Sequence, residues 1–349
     1  MLTTVKAYGA KASDAPLKEL EIERREIKAR DVKIKIDYCG VCHTDIHTVR
    51  DDWGGSKFPV VPGHEIIGTV EAVGNDVTQF KIGQKVGVGC LVDSCRTCAT
   101  CQEDLEQFCE QGPVGTYNGK DEHLGGHTFG GYSQQIVVDE HFVLNVPENI
   151  DLKATAPLLC AGITTWSPLR HWNVQKGDKV GVIGLGGLGH MGIKFANALG
   201  AHVVMITRSE NKAQDAKKLG VDEVLISKDE KQIQQHLNSF DFLLNTIPVK
   251  HDMNPYLALL KRDKTMVLVG AIEPLEPLHG ASVIFGRKRV SGSLIGGIKE
   301  TQEMLDFCGK HDITCDVEMI NMQNINEAYD RVTSSDVKYR FVIDMESLS

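Results

Sequence analysis

The sequence predicts an α/β protein of two domains, one β-rich and one built on a doubly wound parallel sheet. Three observations predict it. Up to about residue 150, short runs of alternating polarity are cut by frequent turn residues. After Pro157 the pattern changes to continuous apolar strands alternating with helical stretches. Between one such strand and helix lies the turn Gly184-Leu185-Gly186-Gly187-Leu188-Gly189. A chain of 349 residues is also long enough for two domains of about 100–200 residues each.

Taken in order, Val32-Lys33-Ile34-Lys35-Ile36 has the period of two expected of a half-buried strand. Pro59, Pro62, Gly63, Gly68, Gly74, Gly83 and Gly87 punctuate the next thirty residues, as in a barrel or sandwich. Val180 to Ile183 is uniformly apolar, the mark of a strand covered on both faces. The glycine turn and a helix from His190 to Leu199 come next. After them come a strand over 202–206, a helix through Ala216 and Leu219, and a strand over 223–226. Later strands are expected at 240–244 and 266–269, and the alternation implies βαβ units. In the tail, helices over 300–308 and 325–332 alternate with strands over 317–320 and 339–343. Periodicity alone leaves open whether these extend the parallel sheet or return to the first domain.

Composition removes several function classes. Lys and Arg number 38 against 47 Asp and Glu, a net charge of −9. A mildly acidic chain lacks the basic footprint of a nucleic-acid binder and does not suit an anionic membrane face. The first residues carry no apolar signal-peptide core, and no run approaches the ~18 apolar residues of a membrane span. The expected location is the cytoplasm and the expected partner a small molecule. In that reducing compartment ten cysteines read as metal ligands, catalytic groups or buried thiols rather than disulfides.

Four of them stand as Cys95-x2-Cys98-x2-Cys101-x7-Cys109. Zinc takes four thiolates in a closed tetrahedral site, and such short spacings let one loop supply them. An iron–sulfur cluster shares the first two gaps, but the ferredoxin run closes with a gap of three and a proline, not seven and Glu110. A structural zinc is the expectation, with another metal or free thiols as the alternatives. A second constellation is more scattered: Cys42-His43-Thr44-Asp45-Ile46-His47, then His64-Glu65, then Cys160. A catalytic zinc needs three protein ligands and an open position. Taken singly, each of these residues is as readily an inert thiol or a core histidine. The glycine turn has the G-x-G-x-x-G form, with a strand before it and a helix after it. Its glycines allow a tight turn, close approach of a pyrophosphate and close helix packing. The alternative is a packing turn that binds no nucleotide.

Together these features resemble the zinc-dependent medium-chain alcohol dehydrogenases, and within them the cinnamyl-alcohol-dehydrogenase branch with its bacterial NADP-dependent aldehyde reductases. The matching strings run from CGVCHTD (39–45) and VPGHE (61–65) through GGHTFGGYSQQ (125–135), LLCAGIT (158–164) and GLGGLGHMG (184–192) to SGSLIGG (291–297) and YRFVID (339–344). The resemblance implies a GroES-like catalytic domain, residues 1–156 and 297–349, with a Rossmann domain inserted at 157–296. It implies an active site in the cleft between them and a homodimer. Cys42, His64 and Cys160 match the catalytic zinc ligands, and Cys95, Cys98, Cys101 and Cys109 the structural site. Glu65 matches an acid beside the metal, Asp45 a carboxylate that supports the histidine ligand, and Thr44 and His47 the proton relay. Thr246, Gly270, Ser293, Leu294 and Ile295 match loops that hold the nicotinamide half. The substrate pocket would draw on Trp53, Leu91 and Tyr117 on one side and Ile295 on the other. The implied activity is hydride transfer between NADP(H) and a primary alcohol or an aromatic, allylic or medium-chain aldehyde. An NAD-preferring secondary-alcohol or polyol dehydrogenase is the runner-up, and a non-catalytic zinc and nucleotide-binding protein is a distant third.

The coenzyme expectation rests on the end of the second parallel strand. NAD-binding units place Asp or Glu there, ~20 residues past the glycine turn, to bind the ribose 2′-hydroxyl. Here the strand is expected to end at Ile206, and Thr207, Arg208 and Ser209 come next. A 2′-phosphate would meet hydroxyls and a guanidinium fork, with Lys212 one helical turn on. Glu210 is expected to open a helix capped by Ser209.

Overall fold

A computed structural model of the protein describes residues 2–270 and 273–348, together with all their side chains except that of Asn211. Two compact units emerge: residues 1–160 with 296–349, and residues 161–295.

The first unit is organised on strand Asp31–Gly40, which carries the alternating run and extends it by several residues. One edge pairs antiparallel with Ile66–Val73. Its first half also pairs with Gln135–Asp139, and its end with Arg340–Asp344, where Val342 faces Gly40 and Ile343 faces Cys39. Val317–Asn321 adds in parallel outside Arg340–Asp344. The tail therefore belongs to the β-rich unit, in a seven-stranded sheet. One register positions the site. Cys39 faces Ile66, so residues just after Cys39 and just before Ile66 emerge at the same end of the sheet. Helix His43–Arg50 starts there, with Asp45 Oδ2 accepting the Cys42 backbone N–H at 2.9 Å.

The second unit holds a six-stranded, wholly parallel sheet. Across it the strands run Glu223–Ile226, His202–Thr207, Lys179–Ile183, Phe240–Asn245, Leu260–Leu268 and Arg289–Gly292. The chain order reverses at Lys179–Ile183, and the crevice beyond the carboxyl end of such a strand is where doubly wound sheets bind ligands. Ile183, Val204, Phe240, Leu243, Leu257 and Met266 form the packed interior. Burying each such side chain contributes about 1.5–3 kcal/mol. The edge strand Arg289–Gly292 departs from the sequence reading, which had no strand there: four residues with a charged neighbour show no apolar alternation, and pairing with Leu260–Leu268 alone makes them extended. Among the described residues no helix is long and apolar enough to cross a membrane.

Candidate active site

Cys42, His64, Glu65 and Cys160 each offer a ligand atom, and all four atoms lie within 4.8 Å of one another in a buried pocket. Cys42 Sγ and Cys160 Sγ are 3.9 Å apart. The bond from Cys160 holds the Cys42 thiol well below its usual range against the cost of burial, and Arg340 and His64 add to this. Asp45 Oδ1 lies 3.1 Å from His64 Nδ1 and accepts the Gly63 N–H, so the ring is turned with Nε2 toward the thiols. Burial, the largest single influence, opposes the protonated ring, but the charges of Asp45 and Cys90 and the bonds to Asp45 and Cys42 together raise His64 well above the ordinary value. A carboxylate on the far nitrogen of a ligating histidine fixes its tautomer and raises its basicity. Burial pushes Glu65 up to about 7 although Arg340 Nη2 contacts its Oε1. Oε2 has no hydrogen-bond partner, and one carboxylate oxygen of Glu65 counts among the four ligand atoms. Two soft thiols and an oriented imidazole, with a carboxylate rather than a third thiol or a second imidazole as the fourth member, fit a zinc whose fourth position can be given up to substrate.

Cys95, Cys98, Cys101 and Cys109 converge in the same way. Sγ atoms of Cys95 and Cys101 are 3.9 Å apart, and those of Cys98 and Cys109 are 4.0 Å apart. Backbone N–H groups point at the sulfurs: Cys98 N donates to Cys95, Cys95 N to Cys109, and Glu110 N to Cys98. The Thr100 hydroxyl and the amides of Glu110 and Cys101 hold Cys98 down at about 6, as a metal-binding thiolate requires. Four thiols with no open side fit a closed structural zinc.

In the second unit the glycine turn has the geometry of a phosphate cradle. Gly184 has φ +96°, a conformation that favours glycine. A Cβ on Gly189 would lie 2.0 Å from the Gly184 carbonyl oxygen, so helix and strand pack closely only through glycine. A Cβ on Gly186 would meet nothing within 4 Å, which leaves space where a pyrophosphate would approach the start of helix Gly187–Ala198. Leu185 is buried and Leu188 half-buried beneath it.

The family models "Alcohol dehydrogenase GroES-like domain" and "Zinc-binding dehydrogenase" match residues 28–148 and 187–310. The aldehyde reductase YahK of Escherichia coli (strain K12) is 54% identical over 350 residues, 99% of both chains. The chain belongs to the zinc-dependent medium-chain alcohol dehydrogenases, in their cinnamyl-alcohol-dehydrogenase branch. NADP-dependent alcohol dehydrogenase C 1 of Mycolicibacterium smegmatis is 50% identical over 99% of each chain. Among solved structures, a cinnamyl alcohol dehydrogenase of Sorghum bicolor superposes with a TM-score of 0.95 at 43% identity, covering 99% of this chain and 98% of its own. The Helicobacter pylori enzyme complexed with NADP(H) gives 0.93 at 44%, covering 99% of each.

Around the metal site of this dehydrogenase, the Thr44 hydroxyl lies 3.6 Å from Cys42 Sγ. His47 Nδ1 is 2.8 Å from Asp52 Oδ2, and the ring stacks on Trp53 at 4.8 Å. Tyr117 is buried with its ring 5.7 Å from His64, and Leu91 is buried on a short strand that pairs with Gly115. Trp53, by contrast, is 43% exposed, so it is not a core residue. Toward the expected 2′-phosphate position, Thr207 is the last residue of its strand rather than the first beyond it. Arg208 is exposed, and Lys212 Nζ donates to the Leu185 carbonyl at 3.1 Å. Ser209 does sit at the N-cap of helix Glu210–Lys218, but its side chain makes no capping bond. Its backbone N–H instead donates to Thr207 Oγ1 at 3.2 Å. The Thr246 hydroxyl bonds within the glycine turn, 2.9 Å from the Ile183 oxygen and 3.1 Å from that of Gly184. A Cβ on Gly270 would lie 2.7 Å from the Thr246 oxygen. Ser293 N–H bonds to Leu268, Leu294 is exposed, and Ile295 has φ +37°.

The sequence reading did not single out three neighbours. Arg340, which clamps Glu65, lies inside the quoted YRFVID string, but nothing local marks it as a partner 275 residues away. Asp52 was legible as the acid five residues after His47. Cys90 stands beside Cys160, whose thiol bond lowers it against burial.

Proposed function

We propose that the protein is a zinc-dependent, NADP(H)-linked alcohol dehydrogenase that reduces aromatic, allylic and medium-chain aldehydes. One observation carries this: Cys42, His64 and Cys160 converge with a carboxylate, Glu65, as the fourth member, a weaker ligand that substrate oxygen could replace, in a chain whose other metal-ligand cluster is four thiols. When bound, zinc supplies a Lewis acid for the substrate oxygen and NADP(H) supplies or accepts the hydride. Cys42, His64 and Cys160 hold the metal, and Asp45 keeps the His64 ring in place. Arg340 holds Glu65 by one oxygen and leaves the other without a hydrogen-bond partner. Thr44, at the rim of the pocket, holds the substrate proton. In aldehyde reduction His47, with Nδ1 bound to Asp52, takes a proton from solvent on Nε2 and passes it inward to Thr44 for the substrate oxygen; alcohol oxidation runs the same path outward. Thr207, Arg208, Ser209 and Lys212 bind the 2′-phosphate, while Thr246, Gly270 and the segment Ser293 to Ile295 hold the nicotinamide half. The aromatic faces of Trp53 and Tyr117 and the apolar Leu91 suit a benzyl or cinnamyl group. The names of the relatives, an aldehyde reductase and cinnamyl alcohol dehydrogenases, support the same reading.

Purified without added metal, the protein should carry two zinc ions per chain and consume NADPH absorbance when benzaldehyde is added. One equivalent or less in protein never exposed to chelator would remove the two-site assignment, and unchanged absorbance the activity.

We read the enzyme as a cytosolic homodimer. Ten free cysteines suit a reducing compartment. For the dimer, the support is the edge strand Arg289–Gly292, which closes the parallel sheet with one side unpaired among the described residues. Just before it Ile284 and Phe285 are 72% and 90% exposed. An open strand edge beside apolar surface favours pairing with a second copy. Phe285→Glu is expected to shift the sedimenting species from dimer toward monomer. A wild-type chain that sediments as a monomer would end this reading.

A further inference from the structure

Glu106 lies inside the four-cysteine lobe, between ligands Cys101 and Cys109, and its backbone oxygen accepts the Cys109 N–H at 3.0 Å. Closing the lobe on a metal therefore fixes Glu106. Its side chain is almost wholly buried, and neither oxygen serves the metal set. Oε1 bonds to His141 Nε2 at 2.9 Å, and Oε2 accepts the Ile298 N–H at 3.0 Å. Ile298 opens helix Ile298–His311, whose N-cap is Gly297, a residue with no side chain to satisfy the free amides of the first turn. Glu106 provides that cap from 192 residues away, with the charge the helix amino end favours. The backbone closes in as well: a Cβ on Gly297 would lie 1.8 Å from the Asp104 oxygen and 2.8 Å from Glu106 Oε2. Lys299 Nζ adds an exposed pair to Asp104 at 3.0 Å.

This pinned helix start is the point where the chain passes from one unit to the other, between Ile295 and Gly296. Immediately before it lie Ser293, Leu294 and Ile295, the last held at φ +37°, which a β-branched residue adopts only under constraint.

We propose that Glu106 is a positioning residue through which the four-cysteine lobe sets the Ser293–Leu294–Ile295 segment, and with it the affinity for NADPH. This rests on the reading that the segment holds the nicotinamide half. The closed zinc then does more than stabilise the fold, because it holds the carboxylate that anchors the chain three residues beyond Ile295.

The test uses zinc-loaded full-length enzyme, well below the melting midpoint of each variant. NADPH binding is followed by fluorescence and turnover with benzaldehyde. Glu106→Ala is expected to raise the Kd and KM for NADPH about tenfold, on the scale of one charge-assisted hydrogen bond. Zinc content should stay at the wild-type value and kcat at saturating NADPH within about threefold. Glu106→Gln keeps an acceptor for the Ile298 N–H and should restore the Kd to within about twofold of wild type. Gly297→Ala, with Glu106 intact, should weaken NADPH binding by forcing lobe and helix start apart. Wild-type affinity in Glu106→Ala overturns the proposal, as does equal loss in the Ala and Gln variants. If Glu106→Ala does not fold, unchanged affinity in Gly297→Ala overturns it. A wild-type enzyme that fails to oxidise NADPH overturns the proposed function, whereas an active wild type with an indifferent Glu106→Ala overturns this inference alone.

Discussion

Cys160→Ala is expected to lower kcat/KM for aldehyde reduction by at least about 10³-fold, the several kcal/mol that Lewis-acid stabilisation supplies. The melting midpoint should fall by only a few degrees. Cys160 ends the first unit's main stretch, and its thiol meets Cys42 at 3.9 Å without joining any sheet. Its loss opens the three-ligand set and leaves His64, Asp45 and the strand registers in place. Cys98→Ala makes the contrasting variant. Its sulfur receives the Glu110 amide and lies 4.0 Å from Cys109, in a closed set whose metal binding contributes directly to folding. That variant should lose one zinc equivalent and much of its thermal stability while its remaining folded fraction turns over. Near-normal turnover in Cys160→Ala, with zinc content unchanged, would show that the metal chemistry lies elsewhere.

The second large effect is coenzyme choice. The wild-type enzyme is expected to favour NADPH over NADH in kcat/KM by at least about tenfold, which needs ~1.4 kcal/mol of differential binding. Thr207 ends its strand where NAD-binding sheets carry an acid, and its hydroxyl accepts the Ser209 N–H. Arg208 is exposed and free to form a bidentate fork on a phosphate. Lys212 lies against the glycine turn through Leu185. Thr207→Asp combined with Arg208→Ile places a carboxylate at the ribose and removes the fork. The preference should swing toward NADH by about 10²-fold, ~2.7 kcal/mol, read from paired kcat/KM values. A wild-type enzyme equally active with NADH would refute the assignment of these residues to the 2′-phosphate.

The four-cysteine contrast and the coenzyme prediction draw on features that short stretches of sequence encode, whereas the Cys42, His64 and Cys160 set spans 118 positions. A four-thiol loop, a glycine turn between strand and helix, and a missing acid at a strand end are local: every residue involved is close along the chain, so spacing and residue type suffice. The parallel strands were legible for the same reason, since burial on both faces makes them continuously apolar.

Long-range pairing decided the rest. Cys42 and His64 come together because Cys39 faces Ile66 in an antiparallel register, and one register among several is invisible to periodicity. By periodicity alone the tail could have joined either unit; the resemblance implied the first, and the Ile343–Cys39 and Val342–Gly40 pairs are what hold it there. The same pairing carries Arg340 to Glu65 and makes a clamp from residues 275 positions apart. Strand Arg289–Gly292 exists only because Leu260–Leu268 offers it a partner. Residue type and spacing determined the four-cysteine zinc loop and the coenzyme turn, since their chemistry lies in neighbours in sequence; the scattered Cys42, His64 and Cys160 were marked only by the family resemblance. Only the tertiary structure decided which distant groups face them, because hydrogen-bond register between strands is selected by the packing of the whole unit.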